Sequence, residues 1–409
     1  VRRDEPNRTA ILSTALTAFF AIAGIAIVDP ILPVIGTELG ATTWQVELLF
    51  TAYIAVMAVG MIPAVMLTGR LGYKKVLAIG VSVVAVAAIG AALTVNIGQL
   101  AALRGLWGLG NALFFATAMV LLVSLANDRE WAVELFETCV GLGFAIGPLL
   151  GGLLGKISWR VPFLLCGTFM IVALALSLTR LKDPEVMPAP LRFAEVFQPF
   201  RRIGFVLLGI ITATYNFVFF VVLGYTPVFL GLDVVPLGLV FTAWGVGLAL
   251  GILVIGHRLA HRFGAVQTVG FALVVLLGAL VGLALSSATA VTIAWLVLAG
   301  VCMGIANANL TDLALATGSP DRRVTTGAFN LVRWGFAAPA PVVAGLLAEH
   351  VGMRAPFWVG VGVLGVGVLT FLVAGHVVAH GIGERVLWSR VDARARAAEG
   401  SAEEALELV

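Results

Sequence analysis

Five ionisable side chains interrupt long apolar stretches of this sequence: Asp29, Arg104, Glu137, Asp312 and Arg333. A charge in hydrocarbon costs about 2.5–3.5 kcal/mol or more, so residues of this kind are functional candidates. The chemistry open to them is proton exchange. A carboxylate beside a guanidinium stays ionised, and one that loses that neighbour in a dry setting takes up a proton. The competing reading is a static buried ion pair that fixes the fold. Two further acids, Glu47 and Glu134, stand near the starts of apolar stretches, where interfacial positions are expected.

Helical spacing relates several of these groups. Asn330 and Arg333 are three apart and share a face, as do Asn309 and Asp312. The stretches that carry them are joined by a short connection, so Arg333 could pair with Asp312. Glu137 is its alternative partner, or a second proton carrier. Arg333 switching between two carboxylates would form a gate, and a fixed pair fits the spacing equally well. Tyr53, Trp107, Asn111, Tyr215, Asn216, Phe219, Phe220, Trp244 and Trp334 mark a possible pocket. Apolar walls with few polar groups suit lipophilic ligands, although membrane aromatics also form interfacial belts. Soluble-enzyme signatures are missing: there is no GxxxxGK[ST], HExxH or CxxC. His257, His261, His350, His376 and His380 fall at stretch ends or in a loop. The basic loops lack interleaved aromatics, so no nucleic-acid partner is expected.

The elements that must position these residues follow from composition. Of 409 residues, 60% are hydrophobic and 11% charged, against about 25% charged in soluble domains; mean hydropathy is +1.06. A hydrocarbon core about 30 Å thick takes about 20 apolar residues per helix. Twelve such spans are read at 10–34, 44–67, 75–95, 99–125, 132–154, 160–180, 203–230, 236–256, 266–286, 290–316, 325–347 and 356–378. No ten-residue alternation suggests a barrel. The Pro-rich, charged stretch 181–202 divides a six-helix bundle over 1–180 from a second over 203–378, leaving a charged tail at 379–409. Twenty of the 25 Lys and Arg residues fall on the side of the N-terminus, which predicts both termini in the cytoplasm. Cys139, Cys166 and Cys302 lie in apolar stretches, so no disulfide is expected. No cleavable leader is expected before the first span, which would serve as its own insertion signal.

The halves also echo each other. Gly143-Phe144-Ala145, Gly152-Leu153-Leu154 and Arg160-Val161-Pro162-Phe163 return as Gly335-Phe336-Ala337, Gly345-Leu346-Leu347 and Arg354-Ala355-Pro356-Phe357, at offsets of 192 to 194. Gly69-Arg70-Leu71-Gly72 is answered by His261-Arg262-Phe263-Gly264. Parallel six-helix repeats are a transporter signature, with the site at their interface. In the fifth span Gly143, Gly147 and Gly151 share one face and admit a close neighbour, while Pro148 removes a backbone donor and bends the helix. Ordinary membrane packing and a bundle that must rock fit this pattern about equally.

The run Gly143-x-x-x-Gly147-Pro148-x-x-Gly151-Gly152 resembles the antiporter motif of the major facilitator superfamily, as found in its twelve-helix drug:proton antiporters. Gly69-Arg70-Leu71-Gly72-Tyr73-Lys74-Lys75 is similar to the loop signature DRxGRR/K of that superfamily, with Gly69 where it has an acid. Leu103-Arg104-Gly-Leu-Trp107-Gly108-Leu-Gly110 is similar to RxxQGxG, with Trp107 in place of the glutamine. Asp29-Pro30-Ile-Leu-Pro33 resembles the family's first-helix motif. The resemblance implies an all-α fold of two pseudo-symmetric six-helix bundles and proton-coupled efflux of drug-like compounds by alternating access. It implies a monomer in the cell inner membrane, with protons, a small-molecule substrate and the lipid bilayer as partners, and the proton gradient in place of any cofactor. In the family, helices 1, 4 and 7 line the cavity. That makes Asp29 and Arg104 neighbours and Tyr215-Asn216 the best polar pair. A glycine at position 69 cannot form the family's cytoplasmic latch, which Arg70 with Asp128 would then carry. A single-metabolite carrier, or a membrane enzyme or sensor, are the alternatives.

Overall fold

The computed structural model describes residues 8–125, 129–181, 183, 193–319 and 322–383, and no strand occurs among them. Among the described residues, twelve helices are long and apolar enough to cross a membrane. They are α1 (Ile11–Leu39), α2 (Thr43–Leu71), α3 (Tyr73–Ala92), α4 (Ile97–Leu125), α5 (Arg129–Gly155), α6 (Arg160–Arg180), α7 (Ile203–Leu230), α8 (Val234–Phe263), α9 (Ala265–Leu285), α10 (Thr289–Thr317), α11 (Val324–His350) and α12 (Ala355–Gly381). A nine-residue 3-10 stretch, Phe193–Arg201, precedes α7. Short connections make successive helices antiparallel. The face holding connections 40–42, 93–96, 156–159, 231–233, 286–288 and 351–354 is termed distal here, and the opposite face terminal.

The first helix extends five residues beyond its expected end, past a break. Pro30 and Pro33 cannot donate to the carbonyls four residues back, and a residue before proline avoids helical geometry. The chain passes through a 3-10 turn at Asp29–Ile31, closed by Ile31 N–H donating to Val28 O at 3.1 Å. Helix geometry resumes at Leu32 and ends where Gly40 takes φ +60°. The start of the second half is irregular at the matching place. A π-turn occupies Val221–Tyr225 in α7, just before Pro227, which stands 194 residues after Pro33. Single π-turns of this kind concentrate at functional sites.

Packing repeats as the sequence does. The pairs α1–α5, α1–α6, α2–α4, α3–α4 and α3–α6 recur as α7–α11, α7–α12, α8–α10, α9–α10 and α9–α12. Gly72 and Gly264 turn the chain with the same positive φ of 89°, open to glycine alone without strain. Arg160 donates to Thr94 O at the end of α3, and Arg354 to Ser286 O at the end of α9, both at 3.0 Å. The halves meet along two equivalent seams, α5–α8 and α11–α2. At the first, a methyl on Gly152 would lie 2.9 Å from Val234 O; at the second, one on Gly345 would lie 2.6 Å from Trp44 Cα. The echoed sequence blocks therefore make the echoed contacts.

At the terminal face the Gly69–Lys75 loop is held within the first half. Lys74 N–H donates to Asp183 Oδ1 at 2.7 Å and Lys74 Nζ to Leu178 O at 2.8 Å, so Asp183 caps the start of α3. Arg70 is exposed, and Asp128, its expected partner, lies outside the described residues. Removing an N-cap costs about 1 kcal/mol. Asp183→Ala should therefore lower the thermal midpoint by a few degrees without abolishing folding, as read by thermal unfolding in detergent.

Candidate functional site

Asp29 sits in the α1 break and is completely buried. The glycine face of α5 holds it there. A methyl on Gly147 would lie 2.8 Å from Ala23 O; on Gly151 it would run into Ile27 O and lie 2.9 Å from Pro30 Cγ. These residues are the last helical turn before Asp29 and the proline after it. The close neighbour that the glycine spacing implies is thus α1, and the motif seats the acidic turn. Helix α8 packs on the same turn from the other half. There a methyl on Gly238 would lie 2.7 Å from Pro148 O, and the carbonyl that Pro148 leaves without a helical donor, Phe144 O, lies against Gly245. Neither Asp29 oxygen has a hydrogen-bond partner.

Arg104 faces the same interior from α4 and is equally buried. Its guanidinium lies over two rings, 4.7 Å from the centroid of Tyr53 and 5.0 Å from that of Trp107. Desolvated cation–π contacts of this kind contribute about 2 kcal/mol. The Tyr53 hydroxyl accepts a hydrogen bond from Asn111 Nδ2 at 2.7 Å, and Gly108 lets the α4 backbone close on the Tyr53 carbonyl. Tyr53, Trp107, Asn111 and Arg104 therefore form one cluster. The Asp29 carboxylate is within electrostatic range of Arg104, but no ion pair within 4.0 Å joins them; the rings, not the acid, hold the guanidinium.

Glu47 corrects an expectation. Far from being interfacial, it is fully buried, and neither oxygen has a hydrogen-bond partner. It lies about one turn inside the distal end of α2 and touches the second half on two helices. A methyl on Gly224 of α7 would lie 2.6 Å from Glu47 Oε2, and one on Gly345 of α11 3.2 Å from Glu47 Cγ. It lies within electrostatic range of Asp29. The signal was in the sequence: Thr42-x-x-Gln45 is a capping box, with Thr42 N–H donating to Gln45 Oε1 at 2.9 Å. A helix starting there places Glu47 past the first turn, on the inward face with Phe50 and Tyr53.

In the second half the expected pairings are redrawn. Arg333 donates to Asn307 Oδ1 at 2.7 Å and lies 5.0 Å over the Trp334 ring. It makes no ion pair with Asp312, which is exposed on α10 and faces His257 of α8. Asn307 is two residues from Asn309 and five from Asp312, so it lies on a different face of α10, and that face meets Arg333. Glu137 lies on α5, with its side chain outside the described residues, as is that of Glu134. Tyr215 donates to Met303 O at 2.7 Å and Asn216 to Thr212 O at 2.9 Å, so the two serve different helices and form no joint polar pair. Trp244 packs edge-on to Phe144 across the α5–α8 seam and to Phe219 of α7, and Phe220 lies 5.8 Å from Trp334. Asn330 is half-buried on α11.

The α2–α11 seam is closed on the distal side in this conformation. Trp44 N–H donates to Glu349 Oε1 at 3.1 Å and Val342 N–H to Thr51 Oγ1 at 3.4 Å, both across the α2–α11 seam near the distal face. Two shallow grooves, about 370 and 470 Å³, lie on the outer walls between α3 and α4 and between α2 and α4. Neither reaches Asp29.

Twelve apolar helices in two matching sets, meeting at seams around a buried acid and a stacked guanidinium, define a multi-pass cell-membrane protein built on the transporter plan of parallel repeats. The Major Facilitator Superfamily model matches residues 14–340. The multidrug efflux protein YfmO of Bacillus subtilis (strain 168) is 34% identical over 370 residues, covering 89% of this chain and 92% of its own. The quinolone resistance protein NorA of Staphylococcus aureus is 26% identical over 169 residues, 41% of this chain and 44% of its own. Among solved structures, a bacterial homologue of the human lysosomal transporter Spinster, inward-facing and occupied, superposes with a TM-score of 0.76 at 16% identity over 91% of this chain and 97% of its own. The chain belongs to the Major Facilitator Superfamily.

Proposed function

We propose that this protein exports small lipophilic compounds in exchange for protons, as a monomer, with no cofactor and with the terminal face in the cytoplasm. The observation that carries the reading is Asp29. It is a fully buried acid without a hydrogen-bond partner, set in a helix break where α1, α5 and α8 meet. An ionised carboxylate left so costs several kcal/mol. Its protonation is therefore tied to whichever movement of the halves wets it. Arg104 keeps its charge on the rings of Tyr53 and Trp107 and is free to attract the ionised form of Asp29 when the centre opens. The apolar and aromatic walls around Phe144, Phe219 and Trp244 offer few hydrogen bonds, which matches ligands recognised by shape and apolar contact. Similarity to proteins named for multidrug efflux and quinolone resistance supports the substrate class. The excess of basic residues on the terminal face supports the orientation.

The test is dye transport by purified protein in liposomes, with and without an imposed pH gradient. Transport that follows the gradient and collapses with a protonophore is expected. Equal transport without the gradient would remove proton coupling from the reading.

A further inference from the structure

Glu47 lies outside the coupling scheme above, yet it is the buried acid that touches both halves. It is enclosed by α2, by the π-turn of α7 at Gly224 and by α11 at Gly345. Its oxygens find no donor. The glycines opposite it leave no side chain to pair with. The titratable groups within electrostatic range of it are Asp29 from α1 and Tyr225 from α7; nearer the distal surface, Glu349 of α11 meets α2 at Trp44, three residues before Glu47. Depth separates the two acids. At 1.5 Å per residue, Glu47 lies roughly 6 Å from the distal end of α2 and Asp29 roughly 15 Å from that of α1. The seam can close over Glu47 at low cost only if the side chain is neutral, since an unpaired charge there is expensive.

We propose that Glu47 is a proton-binding latch on the α2–α11 seam: neutral, it lets α2, α7 and α11 close the distal face, and ionised, it opens that face to water. The proton comes from and returns to water on the distal side, so Glu47 sets the open fraction and carries no net charge across. The proposal rests on the alternating-access reading above, and deepens it by adding a second proton site with a different task. Glu349 acts with the opposite sign. Its carboxylate accepts from Trp44 N–H, so its ionisation tightens the seam.

The experiment measures the distance between spin labels at Val95 and Val351, exposed distal residues of the first and second halves, in protein whose three cysteines are replaced by serine. Wild type is expected to show short distances in acidic buffer and a growing long-distance population in alkaline buffer. Glu47→Gln should hold the short distance throughout, and Glu47→Met, equally neutral but without polar atoms, should do the same if the amide perturbs folding. Glu349→Gln should keep the alkaline opening. A Glu47→Gln variant that opens like wild type, or a wild type with no pH response, overturns the latch. The readout needs no substrate. A Glu47-dependent opening in protein that shows no gradient-driven transport would sink the export reading alone.

Discussion

Asp29→Asn is expected to reduce gradient-driven dye transport to the background of empty liposomes while the protein remains folded. The amide matches the carboxylate in shape but cannot hold the exchangeable proton. The side chain is wholly buried and makes no hydrogen bond that the substitution would break. Stability is therefore expected to stay level or rise, since the amide never has to be buried as an unpaired charge. Substrate binding is also expected to persist and to lose its pH dependence, as read by ligand-induced thermal shifts in acidic and alkaline buffer. A purely structural role would instead lower the melting temperature and leave residual transport gradient-sensitive. Transport by the variant at the wild-type rate would end the coupling role.

Gly151→Val carries the second large effect, through packing. A first methyl already runs into the Ile27 carbonyl and presses on Pro30. The obstacle is backbone, which cannot rotate away, so α5 must leave α1 or the Asp29 turn must move. Overpacking costs about 1–3 kcal/mol where side chains yield, and the upper end or beyond is expected here. Transport should be lost and the thermal midpoint should fall by several degrees, with Gly151→Ala intermediate. Gly335→Ala supplies the control. It stands 192 residues after Gly143 in the echoed block, yet a methyl there meets nothing within 4 Å. The two halves share a sequence pattern, but only the first uses it to clamp an acid. If Gly151→Val melts and transports like wild type, α5 does not seat the turn.

Twelve helices, two matching halves and the charge asymmetry were all legible because each depends on local hydropathy or on counting. The span limits were less so: Pro30 and Pro33 interrupt α1 without ending it, and α8 continues through the polar turn at His257–Phe263. The centre was legible in part. Asp29, Arg104, Tyr53, Trp107 and Asn111 converge, as charged and polar residues within apolar stretches tend to face inward, although Asp312 does not. How Arg104 is held was not legible, because stacking on two rings leaves no pairing signature in sequence. Glu47 differs from its expected interfacial place because nearness to a helix start sets depth and not enclosure: it lies only one turn inside α2, but α7 and α11 cover it there. The Arg333–Asp312 pairing does not form because of rotation: Asn307 and Asp312 are five residues apart, more than one helical turn, and the first meets Arg333 of α11, while the alternative partner Glu137 has its side chain outside the described residues.

The seams differ in kind although their positions are equivalent. Along α5–α8 the described contacts are glycine on glycine and ring on ring, with Gly152 against Gly238 and Phe144 against Trp244. Along α2–α11 they are an acid, a backbone cap and a hydroxyl, at Glu47, Glu349 and Thr51. A smooth apolar seam can slide or tilt with little change in energy, while a polar one is either made or broken. The molecule is thus bound like a book, with its spine at α5–α8 and its clasp at α2–α11. Chemistry that reaches only the clasp is enough to decide when the covers part.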